Sequence, residues 1–142
     1  MRLLPDVLGT EALAGVVVDM GPGSFMGTRV GIVAGKVLAH LRDVPMAGVR
    51  SFDLIDADGL VVIPSKKGEF FWREPGQEPY RTTDIPAEGA TGFGFGSDDC
   101  FPSAARLPAR TWDWEKPEAF LPEYLIEPSI SIPKRPYGVG LP

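Results

Sequence analysis

The stretch whose residue types and spacing most suggest chemistry is Gly21-Pro22-Gly23-Ser24-Phe25-Met26-Gly27-Thr28-Arg29-Val30-Gly31. A glycine turn entering a helix presents free backbone N–H groups that can hold an anion. Here the glycines fall at 21, 23 and 27, which is not dinucleotide-fingerprint spacing, and no Gly-Lys-Ser/Thr ending makes a Walker loop. A phosphate cradle therefore stands beside a second reading, a tight structural turn of Gly21, Pro22 and Gly23 with Ser24 as the helix cap. Asp98 and Asp99 beside Cys100 could hold a metal or serve a nucleophile, but no histidine is near and the preceding glycines make the stretch a loop. Lys66 and Lys67 suit a solvated hairpin turn better than a phosphate site. Arg29, in the first turn of its helix, opposes the helix dipole, so a carboxylate partner is expected for it in this chain or another. His40 falls near the far end of that helix, where a cation suits the dipole.

The elements that must position these residues can be read along the chain. Residues 2–8 make a short helix with Pro5 in its first turn and Gly9 as its stop. Gly15 to Asp19, with Val16, Val17 and Val18, reads as a buried parallel strand. After the glycine turn a helix of some seventeen residues runs to Arg42-Asp43, with Pro45 as the stop, and Pro45 to Phe52 reads as a second strand. Together these make one right-handed βαβ unit. Gly27, Gly31 and Gly35 recur every fourth residue on one helix face. Three interior glycines cost about 3 kcal/mol relative to alanine, so close approach of another element must offset them. That element is either the helix's own sheet or a partner helix. Ile32, Val33, Val37 and Leu41 form the adjoining apolar face assigned to the sheet.

A soft boundary falls near Ala57-Asp58-Gly59, dividing the chain into 1–57 and 58–142. Only three prolines precede it and twelve follow. The second part reads as antiparallel sheet, with strands over Leu60–Ile63, Glu69–Arg73, Tyr80–Thr83 and Thr91–Gly96. Trp112-Asp113-Trp114-Glu115 reads as core packing in preference to a partner contact, and a proline-rich tail follows. Glycine (17) and proline (15) fill 32 of 142 positions, against roughly 12% in average usage, which excludes a helix bundle. One cysteine excludes an internal disulfide framework, and one histidine argues against a conventional zinc site or a Ser-His-Asp triad. The net charge of −5 argues against unaided nucleic-acid binding. Ala12–Val18 is too short to span a membrane, and neither a signal peptide nor a membrane association is expected. The cytoplasm is the expected compartment.

Gly21-Pro22-Gly23-Ser24-Phe25-x-Gly27-x-Arg29-x-Gly31, followed by Ala34-x-Lys36-x-Leu38-Ala39, resembles the signature of the TsaB (YeaZ) family, roughly G-P-G-S-F-T-G-[LV]-R-I-G-L-A-T-A-K-G-L-A. Arg2-Leu3-Leu4-Pro5 is similar to the family's first helix, Pro45–Ser51 to its "IPLVGVSS" strand, Lys66–Phe71 to its "RRGEVY" hairpin and Pro122–Leu125 to its terminal "P-x-Y-L-R". The resemblance implies an α/β fold. It would be a partial actin-like ATPase (ASKHA, RNase H-like) arrangement, a βαβ unit followed by a small antiparallel β-rich subdomain. It further implies a non-catalytic scaffold that pairs with the catalytic subunit TsaD and the ATPase subunit TsaE. That complex transfers a threonylcarbamoyl group to the adenosine beside the anticodon of certain tRNAs. The family's interface is a helical bundle made by its first two helices, which places Leu3, Leu4, Phe25, Gly27, Thr28, Gly31 and Gly35 at the partner surface. A homodimer is expected when the chain is alone, and tRNA contact only through the complex. No cofactor or metal is expected on this chain, with ATP and metal on the partner subunits. Met26 replaces the family's threonine, and Pro64, followed by Ser65, its aspartate. The strands that normally precede the first helix, beginning with an "AIDTS" segment, are not in this sequence, which puts the ordinary nucleotide site in question. Two other classes stay open. One is an independent small hydrolase or nucleotide-binding protein on a remnant actin-like fold; the other is a degenerate paralogue that self-associates.

Overall fold

The computed structural model describes residues 12–84, 88–95 and 98–121. The helix expected over residues 2–8, with Leu3 and Leu4, lies outside the described residues, as do Pro122–Leu125 and the tail. In the described part, β1 (Val16–Asp19) leads through the glycine turn into α1 (Phe25–Arg42), then β2 (Met46–Val49) and a short α2 (Ser51–Ile55). There follow β3 (Val61–Pro64), β4 (Phe70–Arg73), β5 (Tyr80–Thr82), β6 (Thr91–Gly92) and one 3-10 turn over Ala104–Arg106. β1 and β2 pair in parallel, Val16 opposite Met46 and Asp19 opposite Val49, with α1 as the crossover. The second sheet has the order β5-β4-β3-β6.

Two sequence expectations change. The second strand was expected to run to Phe52, but the chain leaves it after Val49 and turns into α2, where Phe52 and Ile55 are buried. Burial rather than strand propensity decides this, because both side chains fall on the apolar face of the second sheet. The second sheet is also not wholly antiparallel, since β6 pairs in parallel with β3. Gly92 makes this pairing possible. Its φ is +151°, and a Cβ there would collide with the Val62 carbonyl.

Two cores follow from these sheets. Between α1 and the first sheet lie Val18, Ile32, Ala39, Met46 and Phe120. On the second sheet, α2 contributes Phe52 and Ile55 against Val61, Ile63 and Phe71, with Phe93 and Cys100 at the margin. Phe120 arrives from the far end of the chain. Its strap is held by the pair of backbone hydrogen bonds between Met46 and Glu115, both 2.8 Å, so the 58–142 portion closes the core of the 1–57 portion. Trp114 is half-exposed and lies against Gly15, and Trp112 lies beneath the Arg110 guanidinium. The aromatic pair thus covers surface where core packing was expected. Among the described residues no helix is long and apolar enough to cross a membrane.

Arg73 fastens α2 to the second sheet. It is 7% exposed and sits beside Val61 at the end of the β3–β4 register. Its guanidinium donates to Asp53 Oδ1 at 3.2 Å and to the carbonyls of Asp56, Ala57 and Gly59, just past the C-terminus of α2. A cation suits that position. Arg110 reaches the other oxygen of Asp53 at 3.0 Å from a more exposed site. Breaking a buried, hydrogen-bonded charge pair costs about 3–5 kcal/mol, whereas an exposed pair contributes about 0–1. Urea unfolding should accordingly show Arg73→Ala several kcal/mol less stable and Arg110→Ala almost unchanged. Equal losses would remove Arg73 as the organising cation.

Candidate functional site

At the carboxyl ends of β1 and β2 the glycine turn and the start of α2 meet. Asp19 Oδ1 accepts from the Gly21 N–H at 2.8 Å and from the Ser51 hydroxyl at 2.7 Å. The Ser51 N–H donates to the Gly21 carbonyl, and the Met20 N–H to the Val49 carbonyl, both at 2.8 Å. The end of β1, the glycine turn and the start of α2 are thereby fixed to one another, and the turn's exit sets where α1 begins. Ser24 caps α1 by accepting from the Gly27 N–H at 3.3 Å, as its residue type predicts. Asp43, in the left-handed conformation at φ 51°, ends the helix two residues before Pro45.

A cleft of about 460 Å³ opens at this junction, lined by Val17, Asp19, Gly23, Gly27, Ser51 and Phe93 among others. Ligands of open α/β sheets lie at such strand ends. Yet the Asp19 carboxylate lines this cleft and already accepts from Gly21, so an anion entering beside the helix N-terminus meets a negative charge. The geometry favours the structural reading of Gly21, Pro22, Gly23 and Ser24 over the phosphate cradle. Asp99 accepts from the Gly94 N–H at 2.9 Å within its own loop, and Lys66 and Lys67 are exposed in the β3–β4 turn. Arg29 is engaged in an interaction of its own. His40 lies 3.1 Å from Glu118 on the C-terminal strap. Glu118 is held below the usual carboxylate range, chiefly by its own backbone N–H and then by His40.

The second feature is the outer face of α1. The structure divides the glycine row: Gly35 is buried against β1, where a Cβ would collide with Val18, whereas Gly27 and Gly31 are exposed and a Cβ on Gly31 meets nothing within 4 Å. Ile32, Gly35 and Ala39 face the sheet, so Val33, Val37 and Leu41 do not, contrary to expectation. Those three continue Met26 and Val30 in an exposed apolar stripe, at 66%, 64%, 60%, 54% and 75% exposure in chain order. Its i, i+4, i+7, i+11, i+15 spacing marks one helix face. Sequence reasoning missed this stripe because α1 is apolar on two sides. The available signal was Gly35 and Ala39, small residues four apart that allow a helix to sit close on a sheet. Thr28 is half-buried on the flank toward the cleft, and Phe25 opens the helix.

A family model described as "TsaD: tRNA N6-adenosine threonylcarbamoyltransferase" matches residues 7–62, which hold β1, α1, β2 and α2. An uncharacterized protein of Mycobacterium leprae is 31% identical, over 98% of this chain and 48% of its own length. The tRNA threonylcarbamoyladenosine biosynthesis protein TsaB of Bacillus subtilis is 36% identical, over 45% of this chain and 31% of its own length. The chain thus spans less than half the length of these curated relatives. Among solved structures, a Pseudomonas aeruginosa protein described as similar to peptidase YEAZ superposes with a TM-score of 0.69 at 18% identity, covering 86% of this chain and 79% of that one. YeaZ from the same organism gives 0.67 at 17%, covering 86% and 80%. These likenesses establish the fold, mixed α/β of the actin-like class.

Three measurements test this geometry. Asp19→Ala leaves the buried Ser51 hydroxyl without its acceptor and should cost about 1.5–3 kcal/mol in urea unfolding. Gly31→Ala should stabilise by up to about 1 kcal/mol and Gly35→Ala should destabilise, because only the second Cβ lacks space. Carboxyl NMR titration should find the Glu118 pKa raised by His40→Ala but still short of the ordinary value, since its backbone hydrogen bond survives.

Proposed function

We propose that this chain, TsaB/YeaZ-like in sequence and fold, is a scaffold subunit of a tRNA-modifying assembly and performs no chemistry itself. Its place is beside a TsaD-like catalytic subunit, with a TsaE-like ATPase completing the complex that adds a threonylcarbamoyl group to the adenosine beside the tRNA anticodon. ATP and metal belong to those subunits, tRNA is met only through the complex, and the compartment is the cytoplasm.

The observation that carries this reading is the exposed stripe of Met26, Val30, Val33, Val37 and Leu41 on α1, the helix inside the segment matched by the family model. Burying one such side chain contributes about 1.5–3 kcal/mol, and a row of five left in water on one helix marks an interaction surface. Gly27 and Gly31 beside the stripe let a partner helix approach closely, which offsets their cost to α1. The cleft supports no rival assignment of equal weight, because the Asp19 carboxylate that lines it is already engaged by Gly21 and Ser51.

The test is co-elution with the TsaD-like subunit of the same organism on size exclusion. The native chain should co-elute. Val33→Asp and Gly31→Arg should abolish co-elution while leaving the thermal unfolding midpoint near native, because both positions are open to solvent. Co-elution of both variants at native strength would move the interface off α1, and failure of the native chain to bind would overturn the scaffold reading.

A further inference from the structure

We infer that the strap carrying Phe120 is a latch on the first core, held at its middle by His40 and loosened when that imidazole loses its proton. The strap has three parts in chain order. Glu115 makes the two backbone hydrogen bonds with Met46, an isolated bridge that no strand extends. Pro117 to Ala119 form one turn, closed by the Ala119 and Phe120 N–H groups, which donate to the Lys116 carbonyl at 2.9 and 3.1 Å. Phe120 then enters the core beside Val18, Ile32, Ala39 and Met46 at 3% exposure. Leu121 is already back in solvent at 78%. One bridge, one turn and one plug thus make up the strap, and among the described residues it has no helix or strand of its own.

Glu118 stands in the turn, between bridge and plug. There the strap does not lie flat on α1. A cavity of about 510 Å³ opens between them, lined by His40, Asp43 and Val44 on one side and by Lys116, Pro117 and Glu118 on the other. The His40–Glu118 pair, at 3.1 Å, spans this gap with both side chains exposed. The other charged groups at the gap are Asp43 from the end of α1 and Lys116 from the strap, and Arg42 shares the last turn of the helix. Carboxylates, lysines and arginines ordinarily keep their charge between about pH 5.5 and about pH 8, whereas an imidazole changes its own. The pair therefore contributes fully where His40 is charged, and its contribution is lost as pH rises through the imidazole range. At the acid end it is lost only as pH falls through the Glu118 range, which the residue's own backbone N–H and then His40 hold below that of ordinary carboxylates. An exposed pair is too weak to unfold a domain. It is strong enough to bias a segment otherwise held by one bridge and one side chain, and such segments open while the rest of a protein stays folded. Opening lifts Phe120 away from Ile32, Ala39 and Met46 and uncovers an apolar slot behind α1 with both sheets intact.

The experiment is amide hydrogen exchange of the full chain, read residue by residue by NMR at about pH 5.5 and about pH 8, with each rate corrected for its intrinsic pH dependence. Protection of the Met46 and Glu115 amides, the two donors of the bridge, should fall about two- to fivefold across that range. The Ser51 and Thr91 amides, which donate to Gly21 and Leu60 away from the strap, should keep theirs. His40→Gln should flatten the response at Met46 and Glu115. Glu118→Gln should reduce it and leave the part that Asp43 supplies. Both substitutions fall on exposed side chains, so the fold survives them. Protection of Met46 and Glu115 that does not change with pH, or a response that persists undiminished in His40→Gln, overturns the latch. Equal losses at Ser51 and Thr91 also overturn it, because the whole chain then opens together.

Discussion

The Asp19 carboxylate is the junction on which the arrangement depends. One oxygen accepts from both the Gly21 N–H and the Ser51 hydroxyl, so the last residue of β1 holds the glycine turn and the first residue of α2 at once. Hydrogen bonds to a charged acceptor contribute about 1.5–3 kcal/mol, and Ser51 is only 2% exposed. Everything downstream inherits its placement from this point. The turn releases α1 at Ser24, α1 crosses the β1–β2 pair at the height set by Gly35, and α2 carries Phe52 and Asp53 onto the second sheet. There Arg73 receives Asp53 and ties the helix to β4. The two sheets are thus joined by two carboxylates, each shared between two donor side or main chains.

α1 illustrates how a helix divides its small and large apolar residues. The face toward the sheet uses Ile32, Gly35 and Ala39, because the approach to Val18 and Met46 leaves no room for more. The larger residues, Val30, Val33, Val37 and Leu41, are left outside. In a helix whose purpose is only to cover its own sheet, the reverse distribution buries more apolar area. The inversion leaves the larger apolar side chains on the solvent face of α1.

Much of this was legible in the sequence, and the exceptions have physical causes. Val16–Asp19, Ser24 as cap, the long helix and the β3–β4 hairpin around Lys66-Lys67-Gly68 follow from β-branched runs, capping chemistry and turn residues, and local rules suffice for each. The end of β2 was misplaced because the strand preference of Phe52 is local, whereas its burial against the second sheet decides where it goes. The parallel pairing of β6 was hidden because Gly92 signals close approach without saying to which strand or in which direction. The solvent face of α1 was assigned to the sheet because apolar size was taken as the guide to burial, whereas the distance between helix and sheet, set by Gly35, decided it. The fold-level resemblance rested on the glycine motif, and the structure ties that motif through Asp19 and Ser51 to β1 and α2 at the start of α1.

Phe120 gives the molecule an order of assembly. The core between α1 and the β1–β2 pair includes Phe120, which lies 78 residues beyond the end of α1 (Arg42) and reaches that core on a strap hydrogen-bonded to Met46. During synthesis, which proceeds from the N-terminus, α1 and its sheet emerge long before the residue that seals them. The nascent chain must therefore carry an unsealed first core, beside an exposed apolar helix face, while the whole β-rich half is being made. Sealing of the core behind α1 coincides with completion of nearly the entire described chain, so a product that ends before Phe120 carries α1 on an unsealed core.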